Sequence, residues 1–295
     1  MLVATTLIWG ATFAITKALI DDGVAPMAIV AWRFTIASVV FAAIFARTLR
    51  RGMSRVTVVH GLVLGVLLYA GFGMQAIGLG VTSSSRSGFI TALYVIFTPL
   101  LQILVTRRAP SRNVWIGIVL VLLGLWALTA PGGVVAGLVD PWSSGGFNVG
   151  DLLTLISAFF FAIYIVLLDR YSADGDIVTL TSIQLVTVAL VSLGHLAVTG
   201  SPAASWAIPS TVGAWAGILY LALLASVLST YMQTRYQRDT TPSRAAVIFT
   251  LESVFAALLG AVALGESLTM LSLAGGALIL TGLLVAELSG GSSDG

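Results

Sequence analysis

Glu252 is an acidic residue in the middle of a long apolar stretch. At the centre of a membrane helix a carboxyl group costs about 3 kcal/mol on insertion scales, so it should face a protein interior or water. There Glu252 could bind an ammonium group or take up a proton. The alternative is structural: it bonds neighbouring helices and holds its own helix in place.

Two glutamines occupy matched positions, since Gln75 and Gln233 lie 158 residues apart and each follows a methionine. A side-chain amide in a membrane needs a partner, so each should face other helices. Both could bond a substrate; equally, both could bond a neighbouring backbone.

Aromatic side chains could stack on rings or cradle a cation. About half of eight aromatic residues in the apolar runs are expected to line a cavity, while the others pack or face lipid. The eight are Phe13, Tyr69, Phe72, Tyr94, Phe97, Phe160, Tyr164 and Tyr231. The predicted substrate-binding set is Trp9, Phe13, Gln75, Tyr94, Phe97, Tyr164, Tyr231, Gln233 and Glu252.

The composition is that of an integral membrane protein. Of 295 residues, 58% are hydrophobic and 9% charged, and the mean hydropathy is +1.05, a balance that no water-soluble surface has. The chain has no cysteine, which excludes disulfides and thiolate metal sites. The start carries no signal-peptide pattern.

Ten apolar runs are long enough for helices that cross a bilayer. They are too long and too uniform for membrane β-strands. The predicted spans are 2–20, 27–46, 58–79, 84–105, 112–129, 151–169, 177–199, 212–234, 244–264 and 268–288.

The chain contains an internal repeat. Ser85–Leu101 aligns without a gap with Ser243–Leu259, at an offset of 158 residues. Five spans per repeat is an odd number, so the second repeat enters the membrane from the opposite side, as in carriers that alternate access to a midplane site. The predicted parts are repeats at 1–130 and 151–288, a connecting loop at 131–150, and a disordered tail at 289–295.

Loop charges set the orientation. With the N-terminus in the cytoplasm, the cytoplasmic segments hold eleven of the fourteen Lys and Arg residues. Both termini are therefore predicted to be cytoplasmic. The eleven are Arg47, Arg50, Arg51, Arg55, Arg107, Arg108, Arg112, Arg170, Arg235, Arg238 and Arg244.

Four basic residues are candidates for a gate or a mouth. Lys17 and Arg33 lie near the outer ends of the first two predicted spans, where they could meet a substrate carboxylate. The favoured alternative is that they reach the lipid headgroups and pair with Asp21 and Asp22.

Arg86 and Arg244 begin their helices, where a cation opposes the helix dipole and calls for a partner. They could act as gate residues, or as topology signals and headgroup contacts. The fifth and tenth spans carry Gly117, Gly124 and Gly275, and are interpreted as a scaffold outside the pathway.

Several signature elements resemble the drug/metabolite transporter superfamily, in its ten-helix EamA-type branch. Nearly the whole chain takes part, but Ser253 stands where many relatives have proline, and Arg108 where the second repeat has Glu266. The elements are Trp9-Gly10, Phe13 and Lys17, then Arg33-Phe34, then Leu93–Leu101 with Arg107–Arg112, and finally Leu251-Glu252 with Gly265-Glu266.

The resemblance implies export of amino acids, metabolites or amphipathic drugs, and is strongest to bacterial exporters of aromatic amino acids. The expected protein is thus an all-α integral membrane carrier of the bacterial inner membrane that exports small amphipathic metabolites, chiefly neutral or aromatic amino acids. The alternatives are a broad drug or metabolite efflux carrier, an exchanger of phosphorylated metabolites, which would want more deep basic residues, and a non-transporting scaffold.

No enzyme is expected. His60 and His195 lie far apart, and the sequence shows no nucleophile-base pair, metal-ligand spacing or phosphate-binding loop. No cofactor is expected. The expected partners are a small-molecule substrate and the lipid bilayer, and no nucleic acid is expected to bind. A monomer is expected, with a homodimer as the alternative. One midplane acid makes a sparse proton relay, which favours a facilitator over a proton-coupled carrier.

Overall fold

The structure is a computed structural model that describes residues 1–49, 54–82, 84–129, 148–173, 175–199, 211–264 and 270–287. These residues form helices and no strand. Most of the predicted connecting loop, the predicted tail and Glu266 lie outside the described residues.

The described helices follow one another in a simple order. They are α1 Leu2–Gly10, α2 Thr12–Asp21, α3 Pro26–Ile44, α4 Ala46–Leu49, α5 Arg55–Leu79, α6 Ser84–Ala92, α7 Tyr94–Thr106, α8 Arg112–Thr129, α9 Val149–Ser172, α10 Ile177–Thr199, α11 Val212–Leu219, a π-helix Tyr220–Leu228, α12 Ser229–Tyr236, a 3₁₀ turn Gln237–Asp239, α13 Pro242–Phe249, α14 Leu251–Leu264 and α15 Met270–Glu287.

Eight stretches of the described chain are long and apolar enough to cross a membrane, and Arg112–Ala127 and Leu273–Ala286 are shorter apolar helices. The chain is therefore a multi-pass membrane protein. The eight are Leu2–Asp21, Pro26–Ile44, Arg55–Leu79, Arg86–Thr106, Val149–Ser172, Ile177–Thr199, Val212–Asp239 and Pro242–Leu259.

Helix α9 begins earlier than the sequence predicted. Asn148 accepts a hydrogen bond from the Asp151 backbone N–H at 2.9 Å, and the Asp151 carboxylate accepts one from the Asn148 N–H at 3.0 Å. This reciprocal cap satisfies two amide groups that a helix start leaves open. Gly150, predicted to end the connecting loop, therefore lies in the first turn of α9.

Glycines bring α5 close to two neighbouring helices. A Cβ atom at Gly65 would lie 2.5 Å from Thr187 Cβ on α10, and one at Gly78 would lie 2.7 Å from the Gly150 carbonyl oxygen on α9. Such contacts bring membrane helices together where small residues face each other. They place the C-terminal half of α5 against α9.

Helices α8 and α15 pack through matched glycines. A Cβ atom at Gly117 would lie 2.6 Å from the Gly282 carbonyl oxygen, and one at Gly124 would lie 2.6 Å from that of Gly275. In the repeat alignment Gly117 corresponds to Gly275 and Gly124 to Gly282. Each glycine therefore contacts the equivalent of the other, which is the pattern that a two-fold axis produces.

Candidate functional site

A central cavity lies between ten of the helices. Seven of the nine residues in the predicted substrate-binding set line it, and they are joined by eight others. In the part of the chain that the structure describes, α8 and α15 contribute nothing to its wall. The lining residues are Trp9, Thr12, Phe13, Arg33, Leu68, Phe72, Gln75, Thr91, Tyr94, Phe161, Tyr164, Ile165, Gln233, Phe249 and Glu252.

Three pairs of repeat-equivalent residues line this cavity: Gln75 with Gln233, Thr91 with Phe249, and Tyr94 with Glu252. The last pair is in contact, since the Tyr94 hydroxyl donates to Glu252 Oε1 at 3.2 Å. Residues that are equivalent by two-fold symmetry touch each other only where they lie on the axis. A two-fold axis relating the two repeats would therefore pass through the cavity.

The helices that carry this pair are interrupted beside it, at Leu93 and at Thr250. Helix α7, which begins after the first interruption, contains Pro99, and proline has no N–H for the Val95 carbonyl four residues earlier. The Thr250 hydroxyl donates to the Val247 carbonyl at 2.6 Å, a local bond that competes with the helical pattern. A local side-chain bond thus accompanies the second interruption, two residues before Glu252.

The two cavity glutamines have different partners. Gln75 donates to Thr91 Oγ1 at 3.0 Å, a bond between two cavity residues. Gln233 donates to Gln237 Oε1 at 3.0 Å, and Gln237 donates to the Ile165 carbonyl at 2.7 Å. Gln233 is thereby tied to α9.

Arg33 lies in the cavity wall, which corrects the expectation that it reaches the headgroups at an outer mouth. Its side chain is 5% exposed and donates to Ser226 Oγ at 2.5 Å and to the Ala225 carbonyl at 3.0 Å. The guanidinium also lies over the rings of Phe34 and Phe72, at 5.1 and 4.5 Å. Arg33 thus places a cation among aromatic side chains in the wall.

A π-helix supplies the partners of Arg33. In Tyr220–Leu228 the backbone turns are wider, and the hydroxyls of Ser226 and Ser229 each bond the carbonyl five residues earlier, at 2.9 Å. Short π-helical segments recur at functional sites because they turn backbone groups away from the regular ladder. Here the Ala225 carbonyl accepts from both Arg33 and the Trp9 indole.

Phe97 and Tyr231, predicted to bind substrate, lie outside the lining. Phe97 packs edge-on against Phe159 at 5.7 Å, and Tyr231 stacks on Phe45 at 5.6 Å. Tyr231 is two residues before Gln233, so the two point to opposite sides of their helix, about 200° apart. Because Gln233 faces the cavity, Tyr231 faces away from it.

Lys17 and Arg244 also lie outside the lining. Lys17 pairs with Asp21 at 3.2 Å, as expected, and donates to the Leu79 carbonyl at the end of α5 at 3.3 Å. The Arg244 backbone N–H donates to the Thr241 hydroxyl, which caps α13. Their gate roles remain predictions.

Arg86 has the partner that its helix-start position called for. It forms an ion pair with Asp151, whose side chain is fully buried, while that of Arg86 is 41% exposed. Asp151 also accepts from the Thr82 hydroxyl at 2.7 Å. The ion pair ties the starts of α6 and α9 together at one end of the bundle.

Removing the two members of this pair should have unequal effects on stability. Arg86→Met leaves a buried carboxylate without its cation, so we expect a loss of about 2 kcal/mol. Asp151→Asn removes the buried charge, and the Arg86 side chain is 41% exposed, so we expect a loss of about 1 kcal/mol. Thermal unfolding in detergent would measure both losses.

The exposed ion pair between Arg235 and Asp239 is the matched control, since its side chains are 38% and 61% exposed. Arg235→Met and Asp239→Asn should each change stability by less than about 1 kcal/mol. An Asp151→Asn loss larger than that of Arg86→Met would contradict the interpretation.

Several lining residues were not predicted from the sequence. Thr91 and Phe249 precede the predicted residues Tyr94 and Glu252 by three positions, so they lie about one helical turn away. Phe161 lines the cavity where sequence analysis named Phe160. Thr12, Leu68 and Ile165 carried no signal of their own.

The fold and its central cavity define a multi-pass membrane protein built around a central site. A model described as the EamA-like transporter family matches residues 1–130 and 148–288. The chain therefore belongs to the EamA-like transporter family, within the drug/metabolite transporter superfamily.

Two curated relatives are similar over nearly the whole chain. An "Uncharacterized transporter" of Archaeoglobus fulgidus is 29% identical over 287 residues, covering 97% of this chain and 84% of that protein. "Uncharacterized transporter YyaM" of Bacillus subtilis is 24% identical over 290 residues, covering 97% and 92%. The family and these names support a membrane transporter.

A solved structure, titled only "Crystal structure of protein", superposes with a TM-score of 0.73. The comparison covers 97% of this chain and 94% of that one at 20% sequence identity. At this identity the likeness concerns the fold alone.

Proposed function

We propose that the protein is a secondary transporter that exports small amphipathic metabolites, with neutral or aromatic amino acids as substrates, by alternating access. The cavity, through which a two-fold axis relating the repeats would pass, carries this proposal. A site on such an axis can open to either side when the repeats exchange conformations. Its wall combines aromatic rings with a few polar groups, as sites for amphipathic ligands do.

The transport function is tested with purified protein in liposomes. Radiolabelled L-phenylalanine should enter liposomes preloaded with unlabelled L-phenylalanine, and protein-free liposomes provide the baseline. Uptake of a labelled amphipathic cation in place of phenylalanine would favour the alternative of a broad drug or metabolite efflux carrier. Baseline uptake of both compounds would favour the non-transporting scaffold.

We further propose that the two shorter apolar helices also cross the membrane, giving ten spans in two inverted repeats of five. The mutual glycine contacts of α8 and α15 support this arrangement. The loop charges support cytoplasmic termini and a bacterial inner membrane location. With its site inside one chain, the protein is proposed to act as a monomer.

Single cysteines test this topology, because the chain has none of its own. Ser84→Cys, at the start of α6, should react with a membrane-impermeant maleimide from outside the cell. Thr241→Cys, at the start of α13, should react only from the cytoplasmic side, in inverted vesicles. Labelling of both from the same side would exclude the inverted arrangement.

A further inference from the structure

The central cavity holds one basic and one acidic side chain that do not neutralise each other. Arg33 and Glu252 both line it, and each is 5% exposed. Within the described residues, neither forms an ion pair with the other or with a further charged group. A buried charge without a partner is costly, so a ligand that brings the opposite charge gains from meeting it.

Arg33 retains the part of its guanidinium that fits a carboxylate. Arginine has five N–H donors, and here Nε donates to Ser226 and Nη2 to the Ala225 carbonyl. Among the described residues the other three donors have no partner, and one N–H of Nη1 together with one of Nη2 forms the end-on edge. That edge matches the two oxygens of a carboxylate in a paired geometry that lysine cannot offer.

Glu252 retains acceptor capacity on the other side of the site. Oε1 accepts from the Tyr94 hydroxyl, and Oε2 has no hydrogen-bond partner among the described residues. An ammonium group brings three donors, and a carboxylate can accept about four hydrogen bonds. The Tyr94 contact fixes the carboxyl group while Oε2 remains available to a ligand.

An aromatic surface connects the two charged groups. The Trp9 indole donates at 3.4 Å to the Ala225 carbonyl, the same oxygen that holds Arg33. Its ring packs edge-on against Phe249 at 5.3 Å, and Phe249 lies one turn from Glu252. An apolar ligand body attached to both charged groups would therefore pack on rings.

We propose that Arg33 and Glu252 together set the specificity of the cavity. Arg33 binds the carboxylate of a small zwitterion end-on, Glu252 binds its ammonium group, and the apolar side chain lies on Trp9 and Phe249. This inference rests on the transport function proposed above. It implies that a ligand lacking either charge leaves one wall charge without a partner and binds weakly.

Three compounds of similar size and apolar character separate the two charges. L-phenylalanine carries both, phenethylamine lacks the carboxylate, and 3-phenylpropionate lacks the ammonium group. Each would compete with labelled L-phenylalanine for uptake into liposomes holding the wild-type protein. A charged hydrogen-bond pair contributes about 1.5–3 kcal/mol, so each single-charge compound should compete about 10- to 100-fold more weakly than L-phenylalanine.

Each single-residue variant should remove the preference for one of the two ligand charges. Arg33→Gln should weaken L-phenylalanine about 10- to 100-fold and leave phenethylamine within about threefold, so that discrimination between them disappears. Glu252→Gln should likewise abolish discrimination between L-phenylalanine and 3-phenylpropionate. Arg33→Lys should restore part of the preference for a carboxylate. Arg235→Gln, at the end of α12, should leave all three affinities unchanged.

Different uptake and competition results would contradict this inference and the proposed transport function. Equal competition by L-phenylalanine and phenethylamine in the wild type would overturn the inference while transport stood. Entry of labelled tetraphenylphosphonium without entry of L-phenylalanine would likewise overturn the inference and leave the transport function in place. If neither enters above the protein-free baseline, the transport function falls. A parallel loss for all three compounds in Arg33→Gln would assign Arg33 a structural role and overturn its part in specificity.

Discussion

Liposomes that contain the Glu252→Gln protein are expected to show no accumulation of labelled L-phenylalanine when only a pH difference is imposed. Proton coupling requires a group that binds a proton in one conformation and releases it in another. Glu252 is the one carboxyl group in the described cavity wall, where its titratable neighbours are Tyr94, Tyr164 and Arg33. Glutamine preserves the shape and the hydrogen bonding but cannot ionise.

Exchange of L-phenylalanine across the same liposomes should survive at saturating concentration, because exchange needs no net proton movement. Asp239→Asn is the matched control, since that carboxylate is 61% exposed and pairs with Arg235. Wild-type liposomes distinguish the two mechanisms, because a proton-coupled carrier accumulates substrate under a pH difference and a facilitator does not. The single midplane acid favours the facilitator. Accumulation by the Glu252→Gln protein would remove Glu252 from the role of proton carrier.

Gly10→Leu should reduce the initial uptake rate at least about tenfold. A Cβ atom at Gly10 would lie 3.0 Å from the Ala256 backbone nitrogen and 3.1 Å from the Glu252 carbonyl oxygen. These are main-chain atoms of α14, so α1 and α14 must separate instead of repacking a side chain. The separation would move Trp9 away from Glu252 and break the cavity wall.

Overpacking of this kind typically costs about 1–3 kcal/mol, so the unfolding midpoint should fall as well. Gly194→Leu provides the control, because a Cβ atom at Gly194 on α10 would meet nothing within 4 Å. Gly10→Ala should give an intermediate loss. Wild-type uptake by Gly10→Leu would show that α1 does not help to form the site.

The sequence predicted the cavity well where the repeat itself carried the signal. The offset of 158 residues made Tyr94 and Glu252 equivalents before any contact between them was known. Amide and carboxyl groups in apolar runs must face other helices, which placed Gln75 and Gln233 correctly. The repeat can be recognised from the sequence alignment, and the cost of burying polar groups can be inferred from residue types.

Arg33 was misplaced because its partners are not readable from residue types. Ser226 and Ala225 lie on a π-helix, and no residue pattern in the sequence predicted that wider turn. Tyr231, predicted to bind substrate, lies outside the cavity lining for a simpler reason. Composition identified it as an aromatic residue at cavity depth, but only the rotation of its helix shows which way it points.

The contact between Tyr94 and Glu252 also leaves a single carboxyl group in the described cavity wall. In a symmetric pair of identical subunits, a residue on the axis faces its own copy, so an on-axis acid would bring two carboxyl groups together, and such neighbours resist ionising together. This chain places a phenol opposite the carboxyl group instead. Because the two halves belong to one polypeptide, their sequences can differ, and the binding site can carry a single ionisable acid. Two identical subunits related by such an axis would always contribute acids in pairs.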